Sequence, residues 1–244
     1  MRPSRFSILT AASGVVHLYW RCHNKEFLLK DSKDKALYFQ SLIRGLKHRG
    51  TDSSVSLRAF CLMDNHVHQL MSYVNGAKKL SHFMRVANGI FGALYNKAHK
   101  RTGKVANERP KTPLIGDERS EMRAHFYIEA NPIRARRTTL EKLRYEEWNS
   151  YRYFAHGEVD KVTENITPPE WYIKLGDTPA KRQRVYRRLF LEYLRNGKDF
   201  AAQFFKRFIG TVDWVIERER ALKEFMRKRR ESSALQIAQA PPLI

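Results

Sequence analysis

Two imidazoles, a phenol and a carboxamide are the groups in this 244-residue chain whose types and spacing suit a reaction. His66 and His68 stand two apart in Met63-Asp64-Asn65-His66-Val67-His68-Gln69-Leu70, and in a β-strand residues two apart project from the same face. Side by side, two neutral imidazoles offer the donors that a divalent cation takes. Such a pair also occurs in strands as a packing or solvated feature, and spacing alone leaves both readings open. Tyr127 and Asn131 lie four apart in Phe126-Tyr127-Ile128-Glu129-Ala130-Asn131-Pro132, which stacks them on one face of a helix. A cation held by imidazoles and an amide oxygen would polarise a phosphodiester and leave the phenol to attack in line. The other reading is a core tyrosine followed by an asparagine that ends a helix before proline.

Composition narrows the partner. Lys plus Arg number 46 against 25 Asp plus Glu, a formal net charge of +21, which points to a polyanion. With 42% hydrophobic and 12% aromatic residues the chain has the material to pack, unlike a disordered basic tail. Cys22 and Cys61 are the only cysteines, too few for a disulfide framework or a four-sulfur zinc site, and they suit a reducing cytoplasm. The basic start, Met1 to Phe6, runs into the mixed stretch Ser7 to Tyr19 rather than a clean apolar leader. No stretch approaches the roughly 20 apolar residues of a membrane span. The cations are spread along the chain instead of forming one amphipathic stripe, so nucleic acid is favoured over a membrane surface.

The elements that must position these groups follow from periodicity. Val15 to Arg21 alternates β-branched and aromatic residues between Gly14 and Asn24-Lys25 and predicts a strand. Asp31-Ser32 caps a helix through Ala36, Leu37, Phe39, Leu42, Ile43 and Leu46, expected to end near His48 before Gly50. Val55 to Met63 and His66 to Val74, separated only by Asp64-Asn65, predict a tight hairpin of two antiparallel strands. Leu80 to His99 keeps helical spacing, and a short strand is expected near Lys111 to Ile115. Asp117-Glu118-Arg119-Ser120 then opens a helix through Met122, Phe126, Tyr127 and Ala130, which Pro132 should kink or end. The order β-α-β-β-α-β, followed by a helix, is the ferredoxin-like α/β (α+β) pattern. In it helices cover one sheet face and leave the other to hold a site. From Pro168-Pro169 onward the composition changes, and helices are expected over Lys181 to Arg195, Asp199 to Phe208 and Val212 to Arg230, before a tail from Glu231 to Ile244 without periodicity.

In this setting the chain resembles a known family. Met63 to His68, together with Tyr127-Ile128-Glu129-Ala130-Asn131-Pro132-Ile133-Arg134-Ala135, is similar to the single-tyrosine HUH transposases, most closely the REP-associated tyrosine transposases of bacteria. His17-Leu18-Tyr19-Trp20-Arg21 with Asn24 to Leu28 is similar to that family's first strand and following loop. Trp148-Asn149-Ser150-Tyr151-Arg152 resembles a segment that follows the catalytic helix. The likeness spans about residues 1 to 155, and both motifs fall in the expected strand and helix context.

The resemblance implies that His66 and His68 bind Mg²⁺ or Mn²⁺, that Tyr127 is the nucleophile, and that Asn131 takes the place of a third polar ligand. It implies nicking of single-stranded DNA near a hairpin, through a 5′-phosphotyrosine link and a free 3′-hydroxyl that later rejoins strands, with no organic cofactor. It also implies a bacterial, nucleoid-associated, cytoplasmic protein, either monomer or homodimer. Domain limits on this basis are 1–155 for catalysis, 156–178 for a linker, 179–230 for a basic helical extension and 231–244 for a flexible tail. The chain departs from the family pattern at Asp64, where Pro is usual, at Gln69, at Ala106-Asn107, and at Arg136-Arg137, where Gly and an apolar residue are usual. Asp64 is expected to add a carboxylate near the metal face. A hairpin-binding module without activity and a nuclease that activates water are the rival functions.

Arg134, Arg136 and Arg137 after the tyrosine, and Lys97, Lys100 and Arg101 at a helix end, are candidates for holding DNA phosphates. Arg227 to Arg230 is read as a charged helix end. Trp148, Tyr151, Tyr153 and Phe154 have the chemistry to stack on bases, but at that density they are expected to form a subsidiary core. Structural roles are expected for His17, His23 and Cys61.

Overall fold

The computed structural model describes residues 11–106, 108–196 and 206–238, with side chains to residue 232. The alternating run after Ser13 forms β1 (Gly14–Arg21). Its even-numbered side chains Val16, Leu18 and Trp20 point into one layer and His17 and Tyr19 into the other. A helix α1 (Ser32–Leu46) leads to β2 (Val55–Leu62) and β3 (His66–Tyr73), the expected hairpin, joined antiparallel with Leu62 opposite Val67. Helix α2 (Ala77–Ala98) packs beside α1, and Trp20, Tyr38 and Phe91 meet edge-on or tilted between these helices and the sheet. On this face Gln69 is buried but satisfied: its Nε2 donates to Tyr38 Oη at 3.0 Å.

The fourth strand is shorter than expected. β4 covers only Leu114–Ile115, and Lys111 pairs separately with Tyr19. Pro113 interrupts the ladder because it has no N–H to give, although its carbonyl still accepts from His17 N at 3.1 Å. Helix α3 (Glu118–Glu129) starts where Asp117 Oδ1 accepts from Ser120 N at 2.8 Å. It breaks at Ala130, and the short turn α4 (Asn131–Arg134) follows. Pro132 cannot donate to Ile128 O, and Asn131 Nδ2 supplies that bond at 3.1 Å and a second to Tyr127 O at 2.8 Å. Then come α5 (Leu140–Leu143), α6 (Tyr151–His156), α7 (Glu170–Ile173) and α8 (Pro179–Asn196).

The last described elements are β5 (Phe208–Ile209) and α9 (Val212–Ala238). Phe208 was expected in a helix; it is in a strand, because Phe208 and Ile209 lie parallel to β4 and their segment takes up the edge bonds Leu114 N to Arg207 O and Gly116 N to Ile209 O. Residues 199–205 of that expected helix lie outside the described residues. The backbone from 231 to 238 continues α9 where a tail without structure was expected. No Gly or Pro interrupts it before Pro241, and ion pairs four residues apart, such as Lys228 with Glu224 at 3.0 Å, support the turns that lead into it. Residues 239–244 of the expected tail are outside the described residues.

The sheet order is β2-β3-β1-β4-β5, with β2, β3, β1 and β4 each antiparallel to the next and β5 parallel to β4, which is the ferredoxin-like arrangement with one strand added. The second sheet face, expected to be open, is partly covered. Helix α3 lies on it, and Phe126, Tyr151, Phe154, Trp171, Tyr186 and Phe190 form a second apolar cluster behind α3. Tyr151 and Phe154 are core residues there, as expected. The stretch 156–178 belongs to this cluster through Trp171 and Tyr172, and Thr167 N bonds Leu57 O at 2.8 Å.

At the centre of the cluster is a carboxylate. Glu129 is fully buried and accepts from Ser150 Oγ at 2.6 Å, from His125 Nε2 at 3.2 Å and from Tyr186 Oη on α8. Burial without those donors would be costly. Tyr186→Phe keeps the ring and removes one donor, and is expected to lower unfolding stability by about 1–3 kcal/mol. Urea denaturation of the whole chain checks this, and an unchanged midpoint would mean that α8 is not tied to α3.

Candidate active site

β3 lies between β1 and β2, and its alternation sends His66, His68 and Leu70 to the α3 side while Val67, Gln69 and Met71 face α1 and α2. The two imidazoles sit with ring centroids 5.0 Å apart and planes perpendicular. Each is held at Nδ1. His66 Nδ1 is 2.6 Å from Asn65 Oδ1, and His68 Nδ1 is 2.8 Å from His17 Nε2. Asn65 Oδ1 accepts only, so His66 carries its proton on Nδ1 and presents Nε2 as a free lone pair for a ligand. Anchoring of the far ring nitrogen is how ligating histidines are fixed in proteins.

Both rings stay neutral at neutral pH. Burial, aided by Arg21, pushes His66 down to about 4, against a small opposing effect of Asp64. His68 is held well below the usual imidazole range by burial first, then by His17, His66, Arg21 and Arg134. Neutral imidazole is the ligating form.

Tyr127 comes to the same place from the last turn of α3. Its ring lies 5.8 Å from His68 and 5.7 Å from His17, edge-on to both, and the Arg134 guanidinium is 4.9 Å from its centroid. Burial raises the phenol's pKa and Arg134 partly offsets that. His66, His68, Tyr127, Asn131 and Arg134 all line one cavity of about 500 Å³. Because the amide nitrogen of Asn131 is used by the helix end, its Oδ1 is the atom left to act as a ligand. Among the described residues no group of three or more His, Cys, Asp or Glu could hold a metal ion. A cation here would rest on the two imidazoles, the amide oxygen and solvent, a set that fits a transition ion such as Mn²⁺ better than Mg²⁺, which demands oxygen ligands.

The cationic residues divide differently from the expectation. Arg134 lines the cavity, whereas Lys97, Lys100 and Arg101 do not; Arg101 lies over Tyr95 at 5.6 Å and faces Glu26 at 3.5 Å. Arg136 is exposed and has φ +55°, a conformation that favours glycine. Arg137 is engaged by Asp64. The Asp64 carboxylate does not line the histidine cavity; it is 6% exposed and takes Lys35 Nζ at 3.1 Å and Arg137 Nη1 as partners. Asp64 and Arg137 thus form one ion pair, which ties the histidine hairpin to the segment after α4.

Sequence reasoning missed Arg21, Lys25, Arg109 and Lys111, four exposed cations that line the cavity. They are scattered in sequence, and only Arg21 carries a signal, since it shares a strand face with His17 and Tyr19 and pairs with His66. Tyr19 was missed as well. It lies 5.8 Å from His68, stacked, and its pKa is pushed up to about 12 by burial first, then by Tyr127 and Glu108.

No protein-family model matches the chain, and no curated protein does. Several solved structures are similar. One is a REP-associated tyrosine transposase bound to a REP hairpin, at 14% identity and TM-score 0.49, covering 60% of this chain and 82% of that one. Another, from Deinococcus radiodurans R1, is provisionally named a transposase, at 18% identity and TM-score 0.34, covering 53% of this chain and 96% of that one. Among the described residues no helix is long and apolar enough to cross a membrane.

The depressed imidazoles give a pH signature. An unfolded chain binds their protons as pH falls through about 6.5, before the fold does, so stability present above that pH is lost on descending towards about 4. Urea midpoints measured with chelator present should fall over this window and stay level above about pH 7 as far as these histidines contribute. A His66→Ala, His68→Ala variant should show a shallower fall, and an unchanged slope would contradict burial of neutral rings.

Proposed function

We propose that the protein is a metal-dependent single-stranded DNA nickase and strand transferase of the single-tyrosine HUH type, acting at hairpin DNA as in DNA transposition. One observation carries the reading: two anchored, neutral imidazoles, a phenol and an amide oxygen, up to 65 positions apart in the chain, line one cavity with Arg21, Lys25, Arg109, Lys111 and Arg134. The hairpin substrate and the REP-associated assignment rest on the resemblance of the Met63–His68 and Tyr127–Ala135 motifs.

In this reading the five cations grip the phosphate backbone of an unpaired strand, which needs charge and no base recognition. A divalent ion on His66, His68 and Asn131 would stabilise charge developing on the non-bridging oxygens. Tyr127 Oη attacks phosphorus, an O–P bond forms, and the bond to the 3′ oxygen breaks. The 3′ oxygen takes up a proton and leaves as a hydroxyl, while the 5′ phosphate stays on the tyrosine. Attack by a 3′-hydroxyl on that link reverses the step and joins strands, so the bond energy is kept and no nucleotide cofactor is needed. Arg134, over the ring, favours the phenolate that the buried site otherwise disfavours.

Labelled hairpin oligonucleotides from the flanks of the protein's own gene, incubated with Mn²⁺, Mg²⁺ or chelator and run on denaturing gels, test this. The wild type is expected to give metal-dependent cleavage and a protein–DNA band. Tyr127→Phe should bind DNA but lose cleavage by at least about a thousandfold, the scale of losing a nucleophile, and His66→Ala should lose the metal-dependent reaction. Cleavage by Tyr127→Phe at the wild-type rate would replace the proposal with a nuclease that uses water, and hairpin binding without cleavage by the wild type would favour a module without activity.

A further inference from the structure

We infer that His17 is a positioning residue of the metal centre: its Nε2 accepts the Nδ1 proton of His68 and so reserves the Nε2 lone pair of His68 for the metal ion. The inference rests on the metal reading of His66 and His68 above. An imidazole that ligates through Nε2 carries its proton on Nδ1, and an acceptor placed at Nδ1 fixes that tautomer and the ring's orientation. His17 Nε2 stands at the required place, 2.8 Å from His68 Nδ1, with the two rings stacked at 5.0 Å. His17 is fully buried, and its ring also meets that of Tyr127 edge-on at 5.7 Å, so it lies beneath both the ligand and the nucleophile.

The two ligands solve one problem in two ways. His66 has a carboxamide oxygen from its chain neighbour Asn65, a group that can only accept. His68 has an imidazole from another strand, brought alongside by the antiparallel register that sets His17 opposite Leu70. An imidazole can also donate. If His17 donated through Nε2, the neutral His68 would carry its proton on Nε2 and could not ligate there. The tautomer of His17, with its own proton on Nδ1, is therefore part of what makes the site competent.

The test uses the full chain with Mn²⁺ alone, free ion being counted by electron paramagnetic resonance. His17→Phe keeps a buried ring without an acceptor, and His17→Gln supplies a carbonyl oxygen. His17→Phe is expected to weaken Mn²⁺ binding about ten- to a hundredfold, the usual effect of removing the group behind a ligating histidine, with His17→Gln close to wild type. Equal affinity in His17→Phe and wild type would overturn the inference and leave the metal reading intact. Failure of the wild type to bind Mn²⁺ would overturn both. Should His17→Phe not fold, long-range ¹H–¹⁵N spectra of the metal-free wild type decide: a proton on Nδ1 of His68 is expected, and one on Nε2 overturns the inference.

Discussion

The register of β3 between β1 and β2 is the constraint on which the candidate site depends. With partners on both edges, this strand places Arg21 against His66 and Leu70 against His17, and its alternation separates two layers of side chains. A slip of one residue would drive both imidazoles into the layer of Tyr38 and Phe91 and bring Val67 and Gln69 out to α3. The apolar positions that make the core and the polar ones that make the site are therefore fixed by one alignment. The same alignment brings His17, three elements upstream, behind His68.

The second support is the way α3 ends. Tyr127 and Asn131 need the helix to stop where it does, and the proline that stops it leaves a carbonyl that Asn131 itself satisfies. Behind that turn the buried Glu129 collects donors from α6's entry and from α8. Helix α8 thus bonds to the helix that carries the phenol, and β5 extends the sheet, although both lie beyond the segment in which the family motifs occur. The ion pair of Asp64 with Arg137, joined by Lys35, closes the remaining side by holding the histidine turn to the chain after α4.

Much of this was legible in the residues. The hairpin around Asp64-Asn65 and the helix opened by Asp117 carry strong local signals, and the sheet order follows once β-α-β-β-α-β is accepted. That His66 and His68 share one strand face, and Tyr127 and Asn131 one helix face, was also legible, because strand and helix periods fix which side chains lie together; that the two faces meet was expected only from the family resemblance. What was not legible depends on contacts between distant segments. The interruption of the fourth strand comes from one proline at one ladder position, and Phe208 is a strand residue only because β4 offers it an edge. Local charge density pointed to Lys97, Lys100 and Arg101, whereas the cavity is lined by single cations from β1, the loop after it and the segment before β4. A carboxylate at Asp64 reads as a metal neighbour until its two cationic partners are seen.

The most direct test of the central claim is to trap the covalent species formed with a hairpin oligonucleotide and Mn²⁺, digest it and locate the modified residue by mass spectrometry. Two phenols line the cavity, so the answer is not forced by location alone. The account predicts a 5′-phosphate linked to Tyr127 and to no other residue. A nucleotide on Tyr19, or cleaved DNA with free ends and no adduct, would contradict it.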